Sequence, residues 1–326
     1  MRPKIPWCLL AILLLAGVPF AEAQEGKKIP WIGYLAGSGP APNQSFVQGL
    51  RDLGYVEGKN IGIVYRTTEG RRERYADLVA ELVRLQVDVL VTDVTSAALA
   101  LKKATNTIPI VMTSSTDPVG LLGLVASLAR PGGGNVTGLT NVGSELGGKL
   151  LELLKEIAPG LSRAAILGTP GTVDEVFAKE MEVPVRALGV QLIRLGLQSP
   201  DDKDGVFRTI TKERANGLVM RLQPSIYSAH YKRVAELTAR SRLPSISLNK
   251  SWVDAAGGLM SYGADVNFQY RRAATYVDKI LRGTKPADLP VEAPTKFEFI
   301  INLKTAKQIG VTIPPNVLTR ADRVIK

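Results

Sequence analysis

The densest group of side chains able to hold a ligand is Thr113-Ser114-Ser115-Thr116-Asp117-Pro118, four hydroxyls in a row after an apolar run. Hydroxyls both donate and accept hydrogen bonds, so Ser114, Ser115 or Thr116 suits contact with a small polar molecule. Asp117 before Pro118 equally suits a tight turn. Thr95-Ser96 follows a second apolar run and opens a helical pattern. One of the two is expected to cap that helix. A cap and the free N–H groups of a first helical turn also suit a carboxylate. Gly37-Ser38-Gly39 follows the first strand-like run. Pro42 breaks the dinucleotide fingerprint G-x-G-x-x-G, leaving a ligand-facing turn with Ser38 as donor. Thr169, Gln223 and Asn249 stand after later apolar runs, and Tyr262 lies in Ser261-Tyr262-Gly263, where an aromatic ring can stack on a ligand. Trp252 suits core packing better than stacking.

Bond-breaking chemistry finds little footing. The single cysteine, Cys8, lies in the N-terminal segment, and the single histidine, His230, falls mid-helix. No catalytic residue, metal site or cofactor is expected from so few nitrogen and sulfur ligands. Asp201-Asp202 and Asp204 precede a helix and suit capping and dipole stabilisation. A secreted α/β hydrolase would have to rest on His230 alone, without a G-x-S-x-G elbow.

These groups need a scaffold and a place to work. Arg2 and Lys4, the apolar run Trp7 to Val18 and Ala21-Glu22-Ala23 have the order of a secretory signal peptide. Cleavage is expected near Ala23/Gln24, giving a periplasmic protein. Cys8 precedes most of the apolar run, whereas a lipoprotein cysteine follows it. The chain of 326 residues is 45% hydrophobic, enough for two cores, and carries a formal charge of +11. Its basic residues are spread over helix faces, as at Lys102-Lys103 and Arg271-Arg272, which suits a solvated surface and not nucleic acid.

From Trp31 onward, short β-rich runs alternate with helical patterns. Trp31–Ala36 predicts a strand, and Asn43–Leu53 a helix with Phe46, Val47, Leu50 and Leu53 on one face. The rhythm pauses at Pro131-Gly132-Gly133-Gly134-Asn135, then resumes with helix Leu146–Ile157. Pro184 should kink or shorten its helix. Two successive sets of βα units predict an α/β chain with two similar lobes, each a parallel sheet covered by helices on both faces. Ligands bind such sheets outside the carboxyl ends of the strands, so two facing lobes would share one cleft.

Several segments resemble the substrate-binding proteins of ABC transporters with a type I periplasmic-binding fold, including tryptophan-binding-like proteins. They are Gly49-Leu50-Arg51-Asp52-Leu53-Gly54-Tyr55, Ile108-Pro109-Ile110-Val111, Asp117-Pro118-Val119-Gly120, Asn135-Val136-Thr137-Gly138-Leu139, Gly258-Leu259-Met260-Ser261-Tyr262-Gly263 and Ile301-Asn302-Leu303-Lys304-Thr305. The resemblance implies two Rossmann-like lobes with parallel sheets, joined by three hinge crossings, with a small ligand between them. The expected division is 1–23 signal peptide, 24–138 plus about 263–290 first lobe, and 139–262 plus about 291–326 second lobe. It implies a receptor delivering a small organic ligand to the membrane permease of an ABC importer; the hydroxyl-rich strand ends with helix N-termini favour an amino acid or other carboxylate. A monomer is expected. A sensing module that signals to a membrane kinase or chemoreceptor is the alternative. Thr95 matches the family's threonine at the third helix, while Ser96 replaces the proline that usually follows. Gly168-Thr169-Pro170 replaces the usual Asn-Pro.

Overall fold

The structure is a computed structural model. It describes residues 28–37, 41–69, 71–115, 119, 123–132, 134–141, 146–168, 177, 179, 181–197, 203–222 and 224–326, without the side chains of 72 and 224–230. The expected signal peptide therefore lies outside the described residues, as do Ser38, Thr116, Thr169 and Gln223.

In chain order the elements are β1 (Trp31–Ala36), α1 (Gln44–Asp52), β2 (Gly62–Thr67), α2 (Tyr75–Arg84), β3 (Val89–Thr92), α3 (Thr95–Ala104), β4 (Ile110–Ser115) and β5 (Val136–Thr140). Then come α4 (Leu146–Ile157), β6 (Arg163–Gly168), α5 (Glu182–Leu188), β7 (Gln191–Gly196), α6 (Lys203–Lys212), β8 (Gly217–Met220), α7 (Pro224–Arg240), β9 (Ser245–Ser247), α8 (Ser251–Asp254) and β10 (Met260–Ala264). The chain ends with α9 (Val266–Leu281), β11 (Phe297–Asn302), α10 (Leu303–Ile309), α11 (Pro315–Leu318) and β12 (Arg323–Ile325). Pro184 sits in the first turn of α5, the part of a helix that tolerates proline.

The strands form two sheets, in the orders β2-β1-β3-β4-β5 and β12-β11-β10-β9-β8-β6-β7. The first is parallel throughout. The second departs from the all-parallel expectation: β11 runs antiparallel to β10, and β12 follows β11. β11 enters its sheet from a connection returning from the other lobe, not from a βα crossover, so the right-handed crossover that enforces parallel pairing does not apply.

The pleat decides what each face packs on, because successive side chains alternate across a sheet. Ile32 and Tyr34 of β1 with Val89 and Val91 of β3 pack on Phe46 and Leu50 of α1 and Tyr270, Ala273, Ala274 and Val277 of α9. Leu35 and Leu90 face the other way, onto Leu78 and Leu82 of α2 and Ala97 and Leu101 of α3. The second sheet is covered likewise: Ile166, Val219 and Ile301 pack on Leu150 and Leu154 of α4, while Leu167, Leu218 and Met220 face Phe207 of α6 and Val234 of α7.

α9 follows β10 of the second sheet in sequence yet packs on the first, and Val291 also lies in a first-sheet core. The chain thus passes between the sheets after β5, after β10 and before β11. The last of these passages is laced to the first sheet. Glu292 N–H donates to the Gly138 carbonyl at 3.0 Å, and Thr140 N–H donates to the Glu292 carbonyl at 3.0 Å. Arg272 of α9 grips the Glu292 carboxylate through both oxygens, at 2.8 and 2.6 Å. The guanidinium holds this carboxyl below the usual range. The pair therefore contributes stability above the ordinary carboxylate pKa and loses it as pH falls through the depressed value. Because both partners are about one-third exposed, Glu292→Gln is expected to cost only about 1 kcal/mol. Urea denaturation at neutral pH checks this; no loss would show that the backbone bonds alone hold the passage.

Candidate functional site

In the first sheet the strand order reverses between β1 and β3, because β2 lies on one side and β4 and β5 on the other. Such a reversal opens a crevice at the carboxyl ends of the strands. Three strand ends meet it: Gly37 after β1, Asp93 after β3 and Thr113–Ser115 on β4. Asp93 spans the crevice. Its Oδ1 accepts from the Gly37 N–H at 3.2 Å, and its Oδ2 accepts from the Tyr270 hydroxyl of α9 at 3.1 Å. Burial pushes the Asp93 carboxyl up to about 6, against those same hydrogen bonds, which pull it down.

Tyrosines surround this carboxylate. Tyr34 of β1, Tyr65 of β2 and Tyr270 all have raised phenol pKa values, through burial first and then the negative charge of Asp93. Tyr34 packs edge-on against Phe46 and tilted against Tyr65. Three hydroxyls nearby on β1 and β4 are buried without a well-formed hydrogen bond: Ser115 Oγ, which has no partner, and Tyr34 OH and Thr113 Oγ1, which lie beside Asp93 and Tyr270. A buried polar atom left unpaired costs on the order of 1–3 kcal/mol, so their grouping at one set of strand ends marks a place where a ligand or water completes the bonding. The Ser115 carbonyl is already used, accepting from Thr140 Oγ1 at 2.6 Å and from Asn141 N–H at 3.0 Å. Ser115 thus has a fixed backbone and an uncommitted hydroxyl.

Thr95 and Ser96 form the first turn of α3, but neither caps it. The N-cap is Val94, which has no capping side chain. The Thr92 hydroxyl takes up the Val94 N–H at 3.3 Å instead, moving the expected cap to the strand before. Ser114 is half-buried at the end of β4. In the second lobe, Asn249 holds α8 in place, its Oδ1 accepting from the Ser251 N–H at 2.8 Å. Tyr262 lies in β10, before the passage to α9, with its ring stacked on Phe297 at 5.6 Å. Trp252 is a fully buried core residue.

Sequence reasoning places Asp93 in a strand-end loop facing the cleft, Asp93–Ser96, without giving it a role, and does not single out Tyr34 or Tyr270. An acid directly after the buried run Val89-Leu90-Val91-Thr92 was the available signal. Arg221, directly after β8, was missed as well; its guanidinium lies over the Phe177 ring at 4.3 Å. Among the described residues no three His, Cys, Asp or Glu side chains are grouped to hold a metal ion, and no helix is long and apolar enough to cross a membrane.

Two α/β lobes, with a polar crevice where the strand order of the first reverses, define a binding protein of the periplasmic type. The sequence places it more closely: residues 39–325 match the model of the ABC transporter substrate binding protein family, and the chain belongs to that family. A tyrosine-binding protein of Clostridioides difficile (strain R20291) is 26% identical over 269 residues, covering 82% of this chain and 76% of that one. A crystal structure of a conserved domain protein from Vibrio cholerae is similar with a TM-score of 0.83 and 29% identity, covering 91% of this chain and all of that chain. The ABC domain from Streptococcus pneumoniae in complex with L-Trp gives a TM-score of 0.82 and 26% identity, covering 91% of this chain and 99% of that one.

Proposed function

We propose that this protein is an extracytoplasmic receptor that captures a small organic ligand between its lobes and presents it to the membrane permease of an ABC importer. An amino acid is the favoured ligand. The observation that carries the reading is the set of buried hydroxyls without a well-formed hydrogen bond on Tyr34, Thr113 and Ser115 at the first sheet's carboxyl ends. Relatives that bind tyrosine and L-Trp support the ligand class. The passages at 264–266 and 292–297 serve as hinges. A ligand bridging the lobes favours a closed form through contacts that the open form lacks, and that difference is the whole mechanism.

The test is calorimetry with L-tyrosine and L-tryptophan, joined to small-angle scattering. Binding should reduce the radius of gyration. Ser115→Ala should weaken it by about one to two decades, the cost of a hydrogen bond to a charged ligand group, without lowering the thermal midpoint. Binding without compaction, and with full affinity in the alanine variant, would place the site away from this crevice.

A further inference from the structure

The protein carries a formal charge of +11, yet its first-lobe crevice is built around an acid. Asp93 is part-buried and accepts two hydrogen bonds, from the Gly37 N–H and the Tyr270 hydroxyl. The Tyr34 hydroxyl and the Asp93 backbone N–H also lie against it, so every group that holds this carboxylate is neutral. Among the described residues no Lys, Arg or His pairs with it. The groups that face it are the Tyr34 phenol from β1, Tyr65 from β2 and Tyr270 from α9, with the Gly37 N–H from the β1 end. Thr113 of β4 lies beside Tyr270. Tyr34 OH and Thr113 Oγ1 are fully buried, and their contacts with Asp93 and Tyr270 fall short of well-formed hydrogen bonds. Each hydroxyl oxygen can accept a hydrogen bond from a ligand.

This chemistry selects among ligands. A carboxylate of the ligand would meet a like charge here. A divalent metal would need further acids, and none is grouped with Asp93 among the described residues. An organic cation fits: one part-buried negative charge with hydroxyl acceptors beside it. We propose that Asp93 is the subsite for a cationic nitrogen of the ligand, an ammonium or its methylated form, and that it makes the receptor prefer amines and amino acids to nitrogen-free carboxylates. The proposal rests on the solute-receptor reading above. It also gives the nitrogen a route to the hinge. Tyr270, which holds Asp93, stands on α9 one turn beyond the passage at Asp265.

Calorimetry of the full secreted chain tests it with matched probes: L-tyrosine, L-tryptophan and tyramine against 3-(4-hydroxyphenyl)propanoate and indole-3-propanoate. At least one nitrogen-bearing probe should bind at least about tenfold tighter than its nitrogen-free counterpart. Asp93→Asn should weaken the nitrogen-bearing probe by about tenfold to a hundredfold and leave the nitrogen-free acid within about threefold. Should the variant fail to fold, the wild type alone decides through pH. A cation needs the charged carboxylate, and burial raises the free Asp93 carboxyl to about 6. Affinity for the amine should therefore be full at about pH 7.5 and fall severalfold by about pH 5, while that of the nitrogen-free acid does not fall. The three tyrosines keep their protons across this range. A nitrogen-free acid bound as tightly as its amino acid, or a flat pH profile, overturns the subsite and leaves the receptor reading standing. Failure of every probe to bind overturns the amino-acid reading and the subsite together.

Discussion

Gly138→Ala is expected to cost more than about 4 kcal/mol or to prevent folding, far above the typical single substitution. Gly138 lies in β5 with φ +125, a backbone conformation that side-chain-bearing residues rarely adopt. Its Cα faces the backbone of Met112 on β4, so an added Cβ would overlap the Met112 carbonyl group, with the carbonyl carbon only 2.9 Å away. Backbone cannot swing aside as a side-chain tip can. The β4–β5 pairing would have to part, and β5 is where the passage to the second lobe and the bonds to Glu292 begin. Gly54→Ala is the control. It also has positive φ, but no atom lies within 4 Å of an added Cβ, so it should cost only the strain of about 1–2 kcal/mol. Urea denaturation of both variants separates the two effects. Equal losses would mean that φ alone, and not the approach to Met112, explains Gly138. Gly263, ahead of the passage from β10 to α9, presses on the Leu248 backbone in the same way.

The same strand shows where sequence reading reaches its limit. β1, α1 and α4 announce themselves by apolar runs or helical spacing, because each buries one continuous apolar face. β5 reads Val-Thr-Gly-Leu-Thr, without an apolar run, yet all five residues are buried. Its threonines are tolerated inside because Thr137 Oγ1 donates to the Leu289 carbonyl and Thr140 Oγ1 to the Ser115 carbonyl. Both partners are distant in sequence, so no local pattern reveals them. The reversed direction of β11 is also tertiary, since it follows from a passage between lobes. At the site, the hydroxyl run Thr113–Ser115 was legible as a strand end because residue types alone suggested it. Tyr270 was not. Within α9 it is one aromatic on a buried face, and only the packing of α9 on the first sheet brings its hydroxyl to Asp93, 177 residues earlier. The same holds for Tyr34, whose pattern is that of any inward strand residue.

Asp93→Asn is expected to make the ligand-free protein more stable at neutral pH, by as much as about 3 kcal/mol. The folded carboxyl has a pKa of about 6 against an ordinary value of 3.8, so it holds its proton more tightly in the fold than in the unfolded chain. Its contribution to stability is therefore fully present below the ordinary value and lost as pH rises through about 6. At pH 7.5 the wild type carries a desolvated charge that asparagine lacks, while the amide oxygen can still accept a bond from Gly37 or Tyr270. The full figure is an upper bound, because the carboxyl is part-buried and solvent reaches it. Urea denaturation of both proteins at about pH 7.5 and about pH 5 reads the effect: the variant's advantage should be largest at the higher pH and shrink by about half or more at the lower. An advantage independent of pH would trace it to packing, and no advantage at pH 7.5 would mean that the crevice already solvates the charge. Saturating ligand should reverse the order, because a bound cation neutralises the wild-type carboxylate and stabilises only the state that holds it. A carboxylate that weakens the empty fold and strengthens the occupied one is the sign of a residue retained for binding and not for folding.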